Sequence, residues 1–386
     1  MNRRDFLQAT AAAGVLSWLP ASANAAANYQ KTLILVELKG GNDGLNTVIP
    51  YADAQYAALR PRLAIPRDQV LQLDASTGLH PSLAALIPLW QAGEMAVVRG
   101  VGYPSANLSH FRSIEIWDTA SKSSEYLQEG WLARSFAQWP VPRTFAADAV
   151  VVGSPELGPF AGGVGSGVRI IALTNTEQFL QQAKLAVPAA QAHNASLNHI
   201  LQVEQDIVQA AAGLNTNHAF RTVFPQTGFG NAIRTAAQVV ASRSGVAALK
   251  VSLNGFDTHS GQLGTHARLL KDLAEGLAAL KAAIIELGRW DNTLVATYAE
   301  FGRRPRENNS AGTDHGTANS HFVLGGRVKG GLYGQAPALH RLDGNGNLPF
   351  AVDFRDIYAT VLERWWDINA NVALRGRYTP LDFVKI

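Results

Sequence analysis

The 386 residues carry 33 Lys and Arg against 30 Asp and Glu, a net charge of +3, with 47% hydrophobic residues and no cysteine. So small a basic excess, without a clustered Lys/Arg stretch, excludes a nucleic-acid footprint. The absence of cysteine excludes disulfides, thiolate metal sites and thiol nucleophiles, so any metal must be held by oxygen and nitrogen donors.

Residues 1–25 read as a targeting segment: Asn2-Arg3-Arg4-Asp5-Phe6-Leu7, a modest Ala/Gly/Leu/Trp run, then Ala23-Asn24-Ala25 as a small-residue cleavage site. The paired arginines followed by Phe6-Leu7 resemble a twin-arginine export signal, which implies the twin-arginine translocase as a partner and a periplasmic or secreted mature chain. The apolar run is broken by Pro20 and is shorter than the roughly 18 residues that read as a membrane span, and no later segment is expected to span. Cleavage after Ala25 would leave residues 26–386, expected to form one domain with a mainly helical insertion at about 176–241.

The first core strand is predicted at Lys31–Leu38, followed at once by Lys39-Gly40-Gly41-Asn42-Asp43-Gly44. Glycines let a backbone approach an ion closely, which makes Asp43 a first candidate metal ligand; the alternative is a tight turn built on Asn-Asp-Gly. A helix is predicted over Ser82–Ala92, with Pro81 in its first turn, and a second core strand over Met95–Arg99. Gly100, Gly102 and Pro104 then lead to a helix opening near Ser109 and running to Trp117. Ser109, where a strand loop gives way to a helix, is a candidate nucleophile or substrate anchor, or else a helix cap.

Further strands are expected at 149–152 and 168–173, and the Ala- and Gln-rich residues 176–241 read as helical. His193, His199 and His218 fall there without a partner pattern and are assigned no chemistry. Gly245–Leu253 is the next strand, ending in Asn254-Gly255-Phe256-Asp257-Thr258-His259. An amphipathic helix over His266–Leu287 joins it to the strand Thr293–Tyr298. Strand, helix, strand is a parallel crossover, which sends both strand ends to one edge of the sheet. Asp257 is therefore expected near the loop that follows Tyr298, in which Glu300, Arg303, Asp314, His315 and His321 gather around glycines. Residues 352–366 read as a helix without chemistry.

Three strand ends thus deliver Asp43, then Asp257 with His259, then Asp314 with His315, with Glu300 and His321 nearby. Oxygen and imidazole donors suit Zn²⁺ or Mn²⁺, with Mg²⁺ or Ca²⁺ as alternatives on the carboxylate-rich side. Glu300 is read as a ligand or as an outer partner of one, and Arg303 as a clamp on a substrate anion.

Gly40-Gly-Asn-Asp-Gly-Leu-Asn46, Ser109-His-Phe111, Phe256-Asp-Thr-His259, Glu300-Phe-Gly-Arg303 and Thr313-Asp-His-Gly316 resemble, in order along the chain, the motifs of the bacterial family called domain of unknown function 1501. That family is similar to the alkaline phosphatase and sulfatase superfamily, whose members carry two metal ions on a mixed α/β sheet and cleave phosphate or sulfate esters. The resemblance implies an alkaline-phosphatase-like α/β fold, with a mixed, mostly parallel sheet flanked by helices on both faces. It implies that Asp43, Asp314 and His315 hold one ion, that Asp257 with His259 (or His266) holds the second, that His321 is the late histidine ligand, and that Ser109 stands in the nucleophile's place. Asp257 and His259 are separated by one residue where the superfamily has three, and Leu108-Ser109-His110 matches no known nucleophile motif. The expected function is an exported metal-dependent hydrolase acting on a small-molecule or polymer ester; the alternative is a non-catalytic envelope protein that binds a ligand or partner on the same fold.

Overall fold

The first apolar run predicted as a strand becomes β1 (Thr32–Lys39), buried on both faces. Ile34, Val36 and Leu38 join one hydrophobic cluster, Leu33 and Leu35 another, as the two-residue period of a strand requires. This computed structural model describes residues 27–163, 166–173, 218–242 and 244–385. The expected targeting segment, His193, His199 and most of the expected helical insertion lie outside the described residues.

β2 (Val48–Ile49), β3 (Leu71–Gln72) and β4 (Gly78–Leu79) form a small separate sheet. β5 (Met95–Gly102), β6 (Ala147–Val152), β7 (Ile170–Leu173), β8 (Val246–Asn254) and β9 (Thr293–Tyr298) fall where apolar runs predict strands. β10 (Gly302–Glu307) and β11 (Thr313–Gly316) make a hairpin, followed by β12 (Asn319–Leu324), β13 (Gly331–Gly334) and β14 (Val352–Asp353). The main sheet runs β13-β5-β12-β9-β1-β8-β6-β7, with β14 beside β5.

Every pairing in that sheet is parallel except those of β12, which runs against both β5 and β9. The sheet is therefore mixed and mostly parallel. Its single reversed strand has a consequence for the site. The chain leaves the top of β9, makes the β10–β11 hairpin at that same edge and then descends through β12. The loops after β1, β5, β8 and β9 share this edge, where open α/β sheets place their chemistry.

Helices cover both faces. On one lies the long helix Gln262–Glu286, which buries Leu269, Leu270, Leu273, Leu277, Leu280 and Ile284; the Gly228–Val240 helix packs beside it. On the other lie His110–Thr119, Trp131–Gln138 and Phe354–Thr360, with Trp117, Trp131, Tyr358 and Trp365 in the interior. Among the described residues no helix is long and apolar enough to cross a membrane.

Two expected ligands are consumed by this framework. His321 sits inside β12, fully buried, against the ring of Trp117 at 5.4 Å, with no hydrogen bond to either ring nitrogen. The stretch from Ala299 to His321 reads from sequence as one loop; because its last part is a central strand, the side chain is carried down into the core and not to the edge. Asp43 is also fully buried. Its Oδ1 caps the short helix Gly44–Thr47 by accepting from the N–H of Leu45 at 3.1 Å, and its Oδ2 accepts from Arg60 Nη1 at 2.6 Å and from Gln262. Burial alone would raise this carboxyl, but the adjacent Arg60 outweighs it and holds the group below its ordinary value. Arg60 in turn donates to the carbonyls of Pro305 and Arg304, fastening the β10 strand to the first loop. The cation that Asp43 meets is thus Arg60.

Removing one partner of a buried ion pair leaves a lone charge, so Asp43→Asn should lower the unfolding free energy by ~3–5 kcal/mol in a denaturant titration; a change below ~1 kcal/mol would show that the pair is dispensable. Burial also pushes His321 down to about 3, and His80 and His266 down to about 4. The native state then binds fewer protons than the unfolded chain below the ordinary histidine value of about 6.5, and stability should fall as pH drops from there toward 4, by about 1.4 kcal/mol per pH unit for each such group. Thermal melts between pH 7 and 4.5 should show this slope, and His321→Leu should make it shallower.

Candidate metal centre and adjoining cleft

Four strand-end segments meet at the sheet edge. Gly40 has φ +112°, and a Cβ there would stand 2.5 Å from the backbone nitrogen of Asp257, so only glycine lets the loops after β1 and β8 touch. Arg303, at the start of the hairpin and 2% exposed, locks them together. Its guanidinium donates to the carbonyls of Gly41 at 2.7 Å, Thr313 at 2.9 Å, Phe256 at 3.1 Å and Gly40, and to Asp257 Oδ1 at 2.7 Å. Arg303 is therefore not an anion clamp: its donors face protein oxygens, and its task is to position Asp257. Burial pushes the Asp257 carboxyl up, yet Arg303 more than reverses this and keeps it below its usual value.

Around Asp257 stand three imidazoles. His259 Nε2 lies 3.0 Å and His315 Nε2 3.3 Å from Oδ1, and His110 Nε2 lies 3.5 Å from Oδ2. The Nε2 atoms of His259 and His315 are 2.9 Å apart. Ligand atoms of His110, Asp257 and His315 all fall within 4.8 Å of one another. Behind the rings the other nitrogens face oxygen: His110 Nδ1 is 2.8 Å from Glu300 Oε1, His315 Nδ1 is 2.7 Å from the Leu108 carbonyl, and His259 Nδ1 is 3.6 Å from Asp314 Oδ1.

These second contacts decide what the group can do. The Leu108 carbonyl can only accept, so His315 carries its proton on Nδ1 and turns an Nε2 lone pair inward; the Glu300 carboxylate imposes the same orientation on His110. Lone pairs aimed at one another and at a carboxylate repel unless a cation lies among them. Ligand distances of 2.0–2.1 Å around Zn²⁺ put tetrahedral donors about 3.3 Å apart, and the observed separations of 2.9 to 3.5 Å bracket that value. The residues fit a nitrogen-rich divalent-metal site. The hydrogen bond to Glu300 raises the His110 imidazole, whereas burial, with Arg303 nearby, lowers that of His315.

The structure brings His315 to Asp257 and His259, whereas the resemblance implied His315 with Asp43 and Asp314 at one ion and Asp257 with His259 at another. Asp314, half exposed and held by Asn308 at 3.1 Å, stands behind His259 and not in the group itself. Glu300 is buried, takes the Gly40 N–H at 2.9 Å on the same oxygen that meets His110, and acts on the centre through that imidazole. His266 is buried against Asn42 at 2.9 Å, away from the group, which leaves His259 as the imidazole beside Asp257. Ser109 is the exposed N-cap of the His110–Thr119 helix and lines no part of the adjoining cleft. The residue next to it, His110, is the ligand candidate that the sequence reading missed. The signal was present, an imidazole directly after the β5 loop, but the neighbouring hydroxyl drew the assignment.

One side of the group opens into a cleft of about 600 Å³. His110, Asp257 and Glu300 form its inner end, Phe111 and Ile114 an apolar wall, and Glu37 and Asp118 part of its floor.

No relative among the curated proteins matches the sequence. Among solved structures, the chain is similar to a protein of the alkaline phosphatase superfamily from Vibrio parahaemolyticus (TM-score 0.43, 10% identity, 91% of this chain and 70% of that one). It is also similar to a sulfatase from Pseudoalteromonas sp. (TM-score 0.41, 11% identity, 91% and 70%) and to a phosphonate monoester hydrolase from Silicibacter pomeroyi (TM-score 0.38, 12% identity, 90% and 76%). Residues 69–373 match the family described as "Protein of unknown function (DUF1501)", and the chain belongs to that family.

Proposed function

We propose that the protein is an exported metal-dependent hydrolase of phosphate or sulfate esters, working with one tightly held divalent ion, Zn²⁺ or Mn²⁺ by its donor set. The observation that supports this most directly is the convergence of the Nε2 atoms of His110, His259 and His315 on Asp257, with oxygens behind each ring. The motif resemblance supports the choice of ester, and the Arg3-Arg4 pair in its targeting context supports export by the twin-arginine pathway.

When bound, the ion would polarise an ester oxygen and make a water molecule a stronger nucleophile at neutral pH. The chain's own residues set up that chemistry. Glu300 and Leu108 hold protons on the outer nitrogens of His110 and His315, and Arg303 fixes the Asp257 carboxylate between the rings. The cleft admits the ester from the His110 side. With Ser109 outside the cleft, water is the attacking group that the arrangement favours.

Extensively dialysed mature protein should retain about one divalent ion per chain, and Asp257→Asn combined with His259→Ala should abolish that retention. Chelation should remove hydrolysis of 4-nitrophenyl phosphate or sulfate, and Zn²⁺ or Mn²⁺ should restore it; turnover by verifiably metal-free protein would sink the reading. Ser109→Ala should keep kcat within about threefold, because water and not a covalent intermediate carries the step. Glu300→Gln should weaken metal affinity by ~10–100-fold through His110, measured by competition with a chromogenic chelator.

A further inference from the structure

The floor of the cleft holds acids that the histidine group does not use. Glu37 on β1 lies in register between Ser252 of β8 and Tyr298 of β9. Its fully buried carboxylate takes Lys250 Nζ at 3.0 Å and the Ser252 hydroxyl at 2.7 Å on Oε2, while Oε1 has no partner. Asp118, two turns along the helix from His110, has an unpartnered buried Oδ1, and the 2% exposed Glu300 presents an unpartnered Oε2. Glu37, Asp118 and Glu300 all line the cleft. Five acidic residues, Glu37, Asp118, Glu156, Asp257 and Glu300, line the cleft with one lysine, Lys39, which pairs with Glu156 at 2.5 Å, while the buried Lys250 pairs with Glu37. Burial, in the company of Glu37, Glu156 and Glu300, pushes Asp118 up to about 7 despite Lys250, so this floor gains from added positive charge.

We propose that this floor binds a positively charged nitrogen group, a primary ammonium or a guanidinium, at the end of the substrate remote from the ester. The inference rests on the hydrolase reading for the word substrate, but the binding site itself does not. The cluster of ligand atoms formed by His110, Asp257 and His315, all within 4.8 Å of one another, includes neither Glu37 nor Asp118. The floor oxygens are spread more widely than one small ion requires, whereas a nitrogen with several N–H donors reaches separated acceptors. Phe111, 89% exposed, and Ile114 border the same space. They offer apolar surface to the carbons between the charged nitrogen and the ester, and the Phe111 ring face attracts a cation. A substrate lying this way would place its anionic ester at the His110 end and its cationic end over Glu37 and Asp118.

The test is calorimetric titration of the metal-loaded full-length mature protein with n-butylammonium chloride and, separately, with n-butanol. Butylammonium should bind at least about tenfold more tightly than butanol. Asp118→Asn should erase most of that preference without changing metal content, and Phe111→Ala, at an exposed position that cannot unfold the chain, should weaken ammonium binding by about threefold or more. Equal affinity for the two probes overturns the proposal, as does a preference that survives both substitutions. Aryl ester hydrolysis is scored independently. Turnover without ammonium selectivity removes this inference and leaves the hydrolase; ammonium selectivity without turnover keeps the cation site and removes the hydrolase.

Discussion

A single buried guanidinium determines where the side chains of the candidate metal centre stand. Arg303 gathers carbonyls from the loop after β1, the loop after β8 and the β11 strand, and attaches the Asp257 carboxylate to the same fork. A guanidinium offers five donors in a rigid plane, and bonds from a charged donor are roughly twice as strong as neutral ones. A lysine, with one point charge on a flexible stem, could not hold four carbonyls and a carboxylate in one geometry. The charge also matters. Arg303 holds the Asp257 carboxyl below its ordinary value and shares its negative charge, so a cation at this group would lean on the imidazoles.

The carboxylates near this edge divide according to the positive charge each one meets. Asp43 meets Arg60 in the interior and is spent on folding. Asp257 meets Arg303 on one oxygen and the imidazoles on both, with nearly half its side chain exposed. Asp314 and Glu300 stand behind histidines, where a carboxylate orients a ring instead of ligating. The sharp bend that brings Asp43 to the sheet edge serves an internal cation, Arg60, and the acid that gathers the imidazoles is the half-exposed Asp257.

How much of this the sequence revealed follows from which forces act locally. β1, β5, β8 and β9 are continuous apolar runs because both faces of a parallel sheet are covered, and the long helix carries its leucines at helical spacing, so each was legible. The β10–β11 hairpin was not, since Gly302-Arg-Arg-Pro-Arg-Glu307 has no apolar alternation and is held in place by Arg60 and Arg303 from the tertiary fold. β12 opens with Asn319-Ser320-His321, polar residues that hide a central strand, and that concealment made a core histidine look like a ligand. The strand-end rule found Asp257, His259 and His315 because proximity at a common edge follows from topology. It could not foresee that Asp43 would find Arg60 or that His110 would outrank Ser109, since those depend on side-chain direction.

Glu300 joins the two halves of the cleft. One of its oxygens accepts the Gly40 N–H and meets His110 Nδ1; the other is turned away without a partner. A cation at the histidine group and a cationic nitrogen over the floor would repel each other, and a buried carboxylate placed between them lowers that repulsion by interacting with both. The low effective dielectric of a buried group makes such an intermediate charge more effective than a surface carboxylate would be. The burial of Glu300, only 2% exposed beneath residues that are substantially open to solvent, is then explained by its position. The Gly40 N–H anchors it there.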